Sequence, residues 1–190
     1  MKNKNTARGR RLAGICLAVL GFASLSHGVS KGAEPSLEPP LVREAGLRGG
    51  NGHGFDSFEL YYRQSSPWLD RHVVDPWLPQ AVRARWDLTV GRWRGSDGDS
   101  AFVAFGPALE AFPVGDLRLS LGLQPTLLSD YEAGDRDLGG PFQFTSHASL
   151  AWAPQRALVL GIRVQHTSNA RLYSSNPGAD IVSIEVGYGF

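Results

Sequence analysis

Leu117-Arg118-Leu119-Ser120-Leu121-Gly122-Leu123-Gln124-Pro125-Thr126-Leu127 carries leucine at nearly every second position. A period of two places these leucines on one face of a β-strand and Arg118, Ser120, Gly122, Gln124 and Thr126 on the other. The same rhythm runs through most of the chain. Val82, Ala84, Trp86, Leu88 and Val90 alternate with Arg83, Arg85, Asp87, Thr89 and Gly91, and Phe58, Leu60 and Tyr62 with Glu59, Tyr61 and Arg63. Val103, Phe105, Pro107 and Leu109 oppose Ala104, Gly106, Ala108 and Glu110. Phe142, Phe144, Ala148, Leu150 and Trp152 oppose Gln143, Thr145, His147 and Ser149. Leu158, Leu160, Ile162 and Val164 oppose Arg163 and Gln165, and Val182, Ile184, Val186, Tyr188 and Phe190 oppose Ser183, Glu185, Gly187 and Gly189. These are seven strands, and the weaker stretch over 41–50 offers an eighth.

A length of 190 residues suits one domain, and 42% hydrophobic residues with 23 glycines exclude a disordered or collagen-like chain. The formal charge of +1 conceals an asymmetry. Lys2, Lys4, Arg8, Arg10 and Arg11 precede an apolar run from Leu12 to about Leu25, followed by small and polar residues, the layout of an export signal over residues 1–28. Without those five bases, 14 basic residues face 18 acidic ones, a net charge of −4 on the 29–190 domain. That balance excludes the basic footprint of a nucleic-acid binder. Cys16 is the only cysteine, lies inside the apolar run and is expected to leave with the signal, so no disulfide framework is available. Beyond the signal no segment has the roughly 18 consecutive apolar residues of a membrane-spanning helix.

A soluble β-sandwich also alternates, with its polar faces in water. Here the polar faces carry Glu59, Arg83, Arg85, Asp87, Glu110, Arg118, Arg163 and Glu185, a near-balanced set able to neutralise itself inside a narrow barrel. Alternation alone does not separate the two. Connection lengths favour an eight-stranded antiparallel transmembrane β-barrel, because Pro113–Asp116 and Pro154–Arg156 are tight while Arg94–Ser100, Leu128–Leu138 and Asn169–Ala179 are longer and polar. The close of the chain, Val186-Gly187-Tyr188-Gly189-Phe190, resembles the terminal strand by which outer-membrane proteins are recognised for insertion. One connection fits poorly, since Ser65–Pro79 is long for an inner-rim turn.

The end of the seventh of these strands concentrates chemistry. His166 and Ser168 share the parity of Leu158–Val164 and lie two residues apart, about 6–7 Å between α-carbons. Asp180 has the parity of Val182, Ile184 and Val186. If the last two strands pair so that Arg156 opposes Phe190, partners sum to 346 and His166 falls opposite Asp180, within reach of a carboxylate that orients an imidazole. At about 3.3 Å per residue and a tilt near 40°, His166 stands roughly 25 Å above the inner rim, at the outer interface. A nucleophile there meets outer-leaflet lipid at the boundary between sugar and acyl chain. The alternative is a polar loop margin that has already left the membrane. No Gly-x-Ser-x-Gly elbow surrounds Ser168, so an α/β-hydrolase is not supported. His147 is expected as a hydrogen-bonded interior residue, while His53 and His72 fall in loops without ligand spacing. The acids Asp130, Glu132, Asp135 and Asp137 read as a solvated loop, and no metal site is expected.

His166-x-Ser168-Asn169, the Asn176-x-Gly178 turn, Asp180, Phe142-Gln143-Phe144 and the terminal strand together resemble the lipid A 3-O-deacylase family, PagL. The resemblance implies an outer-membrane barrel that hydrolyses the acyl chain at position 3 of lipid A without cofactor or metal. It implies Ser168 as nucleophile, His166 as general base, Asp180 as the orienting acid, Asn176 as oxyanion donor and Asn169 in support. Lipopolysaccharide is the implied partner, with room for a homodimer. The chain departs from the family pattern at Asp180, where the family carries Glu, and at Arg171, which replaces a small residue. Outside the family, a non-catalytic outer-membrane barrel with a structural or surface-interaction role and a soluble exported lipid-binding barrel are the other readings of the same strands.

Overall fold

A computed structural model describes residues 42–190 except 53, 80, 97, 134, 135, 155 and 156. The expected export signal with Cys16 lies outside the described residues, as do His53, Asp135 and Arg156. The strands are β1 (Arg43–Asn51), β2 (Phe55–Ser65), β3 (Val82–Gly95), β4 (Asp99–Val114), β5 (Leu117–Leu128), β6 (Glu132–Ala133), β7 (Arg136–Asp137), β8 (Phe142–Trp152), β9 (Leu158–Ser168) and β10 (Ala179–Gly189). Eight of them close a barrel in the order β1-β10-β9-β8-β5-β4-β3-β2, while β6 and β7 form a separate two-stranded hairpin. Every barrel pairing is antiparallel, and the stretch over 41–50 supplies the closing strand β1.

The alternation seen in the sequence sorts side chains between the inside and outside of this wall. Leu60, Leu88, Phe105, Leu121, Leu150, Ile162 and Ile184 stand exposed on the outside. Inside, Glu44, Glu59, Asp87, Glu110 and Glu185 meet Arg48, Arg63, Arg85, Arg118 and Arg163, five carboxylates against five guanidiniums, all buried. Asp87 Oδ2 lies 3.1 Å from Arg63 Nε, 3.5 Å from Arg48 Nη2 and 3.5 Å from Arg163 Nη1. Glu185 Oε2 accepts from Arg48 Nε and Arg63 Nη2, each at 3.1 Å, and Glu44 is paired with Arg118. Charge within and apolar surface without is the inverse of a soluble protein and the arrangement of a transmembrane barrel. The Tyr61 ring fills the same interior, with Arg48 and Arg63 over it at 4.0 and 4.8 Å, and a β-carbon on Gly187 would lie 2.0 Å from its hydroxyl. Gly187 is glycine because an aromatic ring from across β1 occupies the place of its side chain.

His147 does face this interior and is buried, but neither ring nitrogen has a hydrogen-bond partner, contrary to the expectation of a bonded residue. Its Nε2 stands 3.9 Å from Asp87 Oδ2, and its ring packs over Gly122, where a β-carbon would come within 2.3 Å of Cε1. The glycine makes room for the ring, and the arginines take the acceptors around it.

Call the rim that carries Arg43 and Gly189 the lower rim. At the upper rim, β3 and β4 extend further than the alternation indicates, since Arg94 pairs with Asp99 in the ladder and Arg92 Nη2 donates to Asp99 Oδ2 at 2.5 Å. The connection between Gly95 and Asp99 is therefore short, and the long upper connections are those that join β5 to β8 and β9 to β10. At the lower rim, the long Ser65–Pro79 connection is a docked element. Ser66 Oγ accepts from Leu69 N and Pro67 starts helix α1 (Pro67–Leu69), which continues as a π-helical stretch over Asp70–Val74. Capping and a proline at the first position are ordinary helix-start devices. Leu69 and Val74 pack on Ala84 beside Val82, Trp86 and Leu109, which all belong to the outward face. Asp70 Oδ1 accepts from Ala84 N at 2.6 Å and locks the segment to the outside of the wall.

Candidate active site

β9 and β10 pair in the expected register, with Asp180 opposite His166 and Tyr188 opposite Leu158. Both site residues have outward parity and lie at the upper ends of their strands. His166 Nδ1 and Asp180 Oδ1 are 2.6 Å apart. A carboxylate only accepts, so Nδ1 carries the hydrogen of this bond, and a neutral ring in this tautomer has its lone pair on Nε2. The two side chains remain 45% and 63% exposed on the outer wall, accessible to a large amphiphile.

Ser168 follows on the same face and ends β9, half-buried. Among the described residues its hydroxyl makes no hydrogen bond to His166, so the imidazole is hydrogen-bonded on its carboxylate side only. Across the ladder Ser168 pairs with Phe144 and His166 with Ser146. One strand further, Phe144 meets Pro125, Phe142 meets Leu127 and Ser146 meets Leu123. Phe142 and Phe144 pack edge to face at 5.1 Å. One side of Ser168 is thus an apolar wall that runs down the barrel's outside.

Beneath this face, inward-pointing threonines tie three strands at the same height. Thr126 Oγ1 lies 2.8 Å from Thr145 Oγ1, which lies 2.8 Å from Thr167 Oγ1, and Thr167 is fully buried between His166 and Ser168. The loop beyond Ser168 is organised around Asn169, also fully buried. Asn169 Nδ2 donates to Leu138 O at 2.8 Å and Ser175 O at 2.6 Å, and Asn169 Oδ1 accepts from Arg171 N at 2.9 Å. Asn176 Oδ1 accepts from Asn169 N at 3.1 Å, so the amide of Asn176 keeps its Nδ2 end for donation. The backbone amide of Arg171 is committed to Asn169. Ala170 and Arg171 adopt φ of 51° and 69°, a left-handed turn uncommon for residues with a β-carbon and typical of constrained functional loops.

The five residues singled out in the sequence therefore share one neighbourhood. His166 and Asp180 are bonded directly, Ser168 is beside them, and Asn169 and Asn176 are bonded to each other through the loop. Sequence reading did not find the threonine ladder, the 132–137 hairpin or Leu138, which is fully buried among Phe55, Trp93, Phe102, Ala104, Leu128, Ala179 and Ile181 at the upper end of the interior. The inward parity of Thr126, Thr145 and Thr167 was the available signal. Among the described residues no group of three or more His, Cys, Asp or Glu is placed to hold a metal ion.

The description lipid A 3-O-deacylase (PagL) belongs to a family whose pattern matches residues 56–189, from β2 to the end of β10. The chain belongs to the PagL family. His166, Ser168, Asn169, Asn176 and Asp180 all lie within the matched span. The lipid A deacylase PagL of Bordetella bronchiseptica (strain ATCC BAA-588 / NCTC 13252 / RB50) is 33% identical over 72 residues, 38% of this chain and 40% of that protein's length. Among solved structures, the crystal structure of the outer membrane enzyme PagL superposes with a TM-score of 0.64 at 19% identity, over 76% of this chain and 98% of that one. A de novo designed transmembrane β-barrel gives 0.52 at 10% identity, over 81% and 98%. Both superpositions show a shared barrel fold.

Proposed function

We propose that the protein is an outer-membrane serine esterase that hydrolyses the 3-O-linked acyl chain of lipid A. The observation that supports this most directly is the 2.6 Å contact between His166 Nδ1 and Asp180 Oδ1 on the outer face, two residues from Ser168. Membership of the PagL family supplies the substrate class.

In the proposed reaction Ser168 Oγ attacks the ester carbonyl carbon while His166 Nε2 takes the hydroxyl proton. Asp180 holds the imidazole in the tautomer that this requires and stabilises the imidazolium that results. Negative charge develops on the carbonyl oxygen, and Asn176 Nδ2 is the donor assigned to it, with Asn169 fixing that amide. The intermediate collapses by breaking the bond to the sugar oxygen, which leaves as a hydroxyl with the proton returned from His166. Water, deprotonated by His166, then attacks the acyl–Ser168 ester, and as the bond to Ser168 Oγ breaks the proton passes from His166 to Oγ, which releases the fatty acid and restores the hydroxyl. Asp180 is one methylene shorter than Glu, yet its carboxylate reaches Nδ1 directly, because the two residues face each other across the ladder. The apolar wall of Phe142, Phe144, Leu123 and Leu127 lies where acyl chains of outer-leaflet lipid run. All the proposed residues come from one chain, so catalysis requires no second copy.

Mass spectrometry of lipid A incubated with detergent-refolded protein tests the proposal. Loss of a single hydroxyacyl chain, abolished by Ser168→Ala, is expected. Unchanged lipid A beside a correctly folded barrel would leave the non-catalytic barrel as the better account.

A further inference from the structure

The 132–137 hairpin lies in the loop between β5 and β8, yet its hydrogen bonds go to the loop between β9 and β10. Arg136 Nη1 donates to Gly178 O at 2.6 Å and to Pro177 O at 3.3 Å. Ser175 Oγ donates to Asp137 O at 2.8 Å, and Asn169 Nδ2 reaches Leu138 O. Gly139 and Gly140 come so close to Ser175 O and the Tyr173 ring that β-carbons there would lie 2.2 and 2.5 Å from them. Leu138, buried in the apolar cluster at the barrel's upper end, anchors the hairpin to the wall. Two loops far apart in sequence are thus joined as one body.

The point gripped by Arg136 is the sensitive one. Gly178 is buried, has φ of +69°, and immediately precedes β10, two residues before Asp180. A β-carbon on Gly178 would stand 2.7 Å from His166 Cε1 and 3.3 Å from Nε2, so the Gly178 backbone backs the edge of the imidazole that exchanges protons. Displacing it moves the ring, the carboxylate and the turn that bears Asn176 together. Resting on the esterase function proposed above, we infer that Arg136 is a positioning residue for catalysis, acting through the Gly178 carbonyl on His166 and Asp180. A misplacement of about 1 Å in such a constellation costs on the order of 10²-fold in rate.

The test compares wild-type protein with Arg136→Ala, Arg136→Gln and Arg136→Lys, refolded in detergent, by lipid A deacylation kinetics and by the rate at which a fluorophosphonate probe labels Ser168. Labelling reports activation of the nucleophile without lipid A recognition. Arg136→Ala is expected to lower kcat and labelling at least tenfold with KM and the urea midpoint unchanged. Arg136→Lys, which retains a donor, is expected to recover to within a few-fold. Arg92→Ala, near the upper end of β3 and away from the site, is the control and is expected to match wild type. An active, folded Arg136→Ala protein with wild-type kcat and labelling overturns the inference alone. If Arg136→Ala does not fold, Arg136→Gln decides by the same two rates. Rates that fall only in step with the urea midpoint assign Arg136 a merely structural role and also overturn it. Wild-type protein that neither deacylates lipid A nor takes the probe overturns the esterase function first, and the inference with it.

Discussion

Asp180 combines a short side chain with a direct contact, so its substitutions separate charge from reach. Asp180→Asn preserves size but presents an amide that can no longer accept as a carboxylate, and the imidazole loses its preferred tautomer. The expected loss in kcat is roughly 10³–10⁴-fold with little change in KM, by analogy with triads in which the orienting acid is neutralised. Asp180→Glu keeps the carboxylate and lengthens its reach, and is expected to stay within about tenfold of wild type, because β9 is held in place by the threonine ladder rather than by this side chain. Steady-state deacylation kinetics on both variants measure the contrast, and equal losses in the two would contradict the assigned role. The pair itself was legible in the sequence, because parity fixes the face and strand length constrains the register. Hydrogen bonds of Asn169 were not legible, since a buried asparagine in a loop carries no periodic signal and its acceptors, Leu138 O and Ser175 O, are backbone atoms.

Elements outside the alternating strands were the ones that sequence reading left blank. The lower-rim segment over residues 66–74 is too short to show a helical period, and its apolar residues pack on the outside of a wall that the sequence cannot place beside it. The β6–β7 hairpin has two residues per strand and reads only as an acidic loop. Leu138, which follows it in the chain, turns out to be the anchor. The docking of the lower-rim segment depends on Asp70, whose carboxylate satisfies the buried N–H of Ala84. Asp70→Ala leaves that donor without its partner inside the contact with Leu69 and Val74. A cost of about 1–3 kcal/mol in unfolding free energy is expected. Urea titration in lipid vesicles, followed by the shift in gel mobility of the folded barrel, measures it. Activity per folded molecule should not change, because the segment and Ser168 lie at opposite rims. A loss of specific activity without loss of stability would show that the rims communicate.

At the scale of the whole barrel, the interior is the mirror of the exterior in purpose as well as polarity. Outward leucines are interchangeable, because lipid accepts any apolar side chain, but inward charges are specific, because each must find a counter-ion in a space closed to water. The sequence already showed the near balance of this set. The closing contributions of Glu44 and Arg48 became visible only with the pairing of β1, the strand of weakest alternation, to β10 and β2. Asp87 is the hub, with Arg48, Arg63 and Arg163 all within 3.5 Å of one carboxylate oxygen. Asp87→Asn keeps the volume and removes the charge, leaving three guanidiniums with mutual repulsion in a low-dielectric interior. Breaking one buried ion pair from one side costs about 3–5 kcal/mol, and a shared acceptor should reach at least that range. Arg48 and Arg63 keep Glu185, whereas Arg163 loses its ion-pair partner, so replacing Arg163 by Met in the Asp87→Asn background should recover part of the loss, giving a positive coupling in a double-mutant cycle. Urea midpoints of the two single variants and the double variant test this directly. Strictly additive losses would show that water or neighbouring polar groups such as Gln124 and Gln165 screen the site, and that the interior is a solvated lumen rather than a packed ionic core.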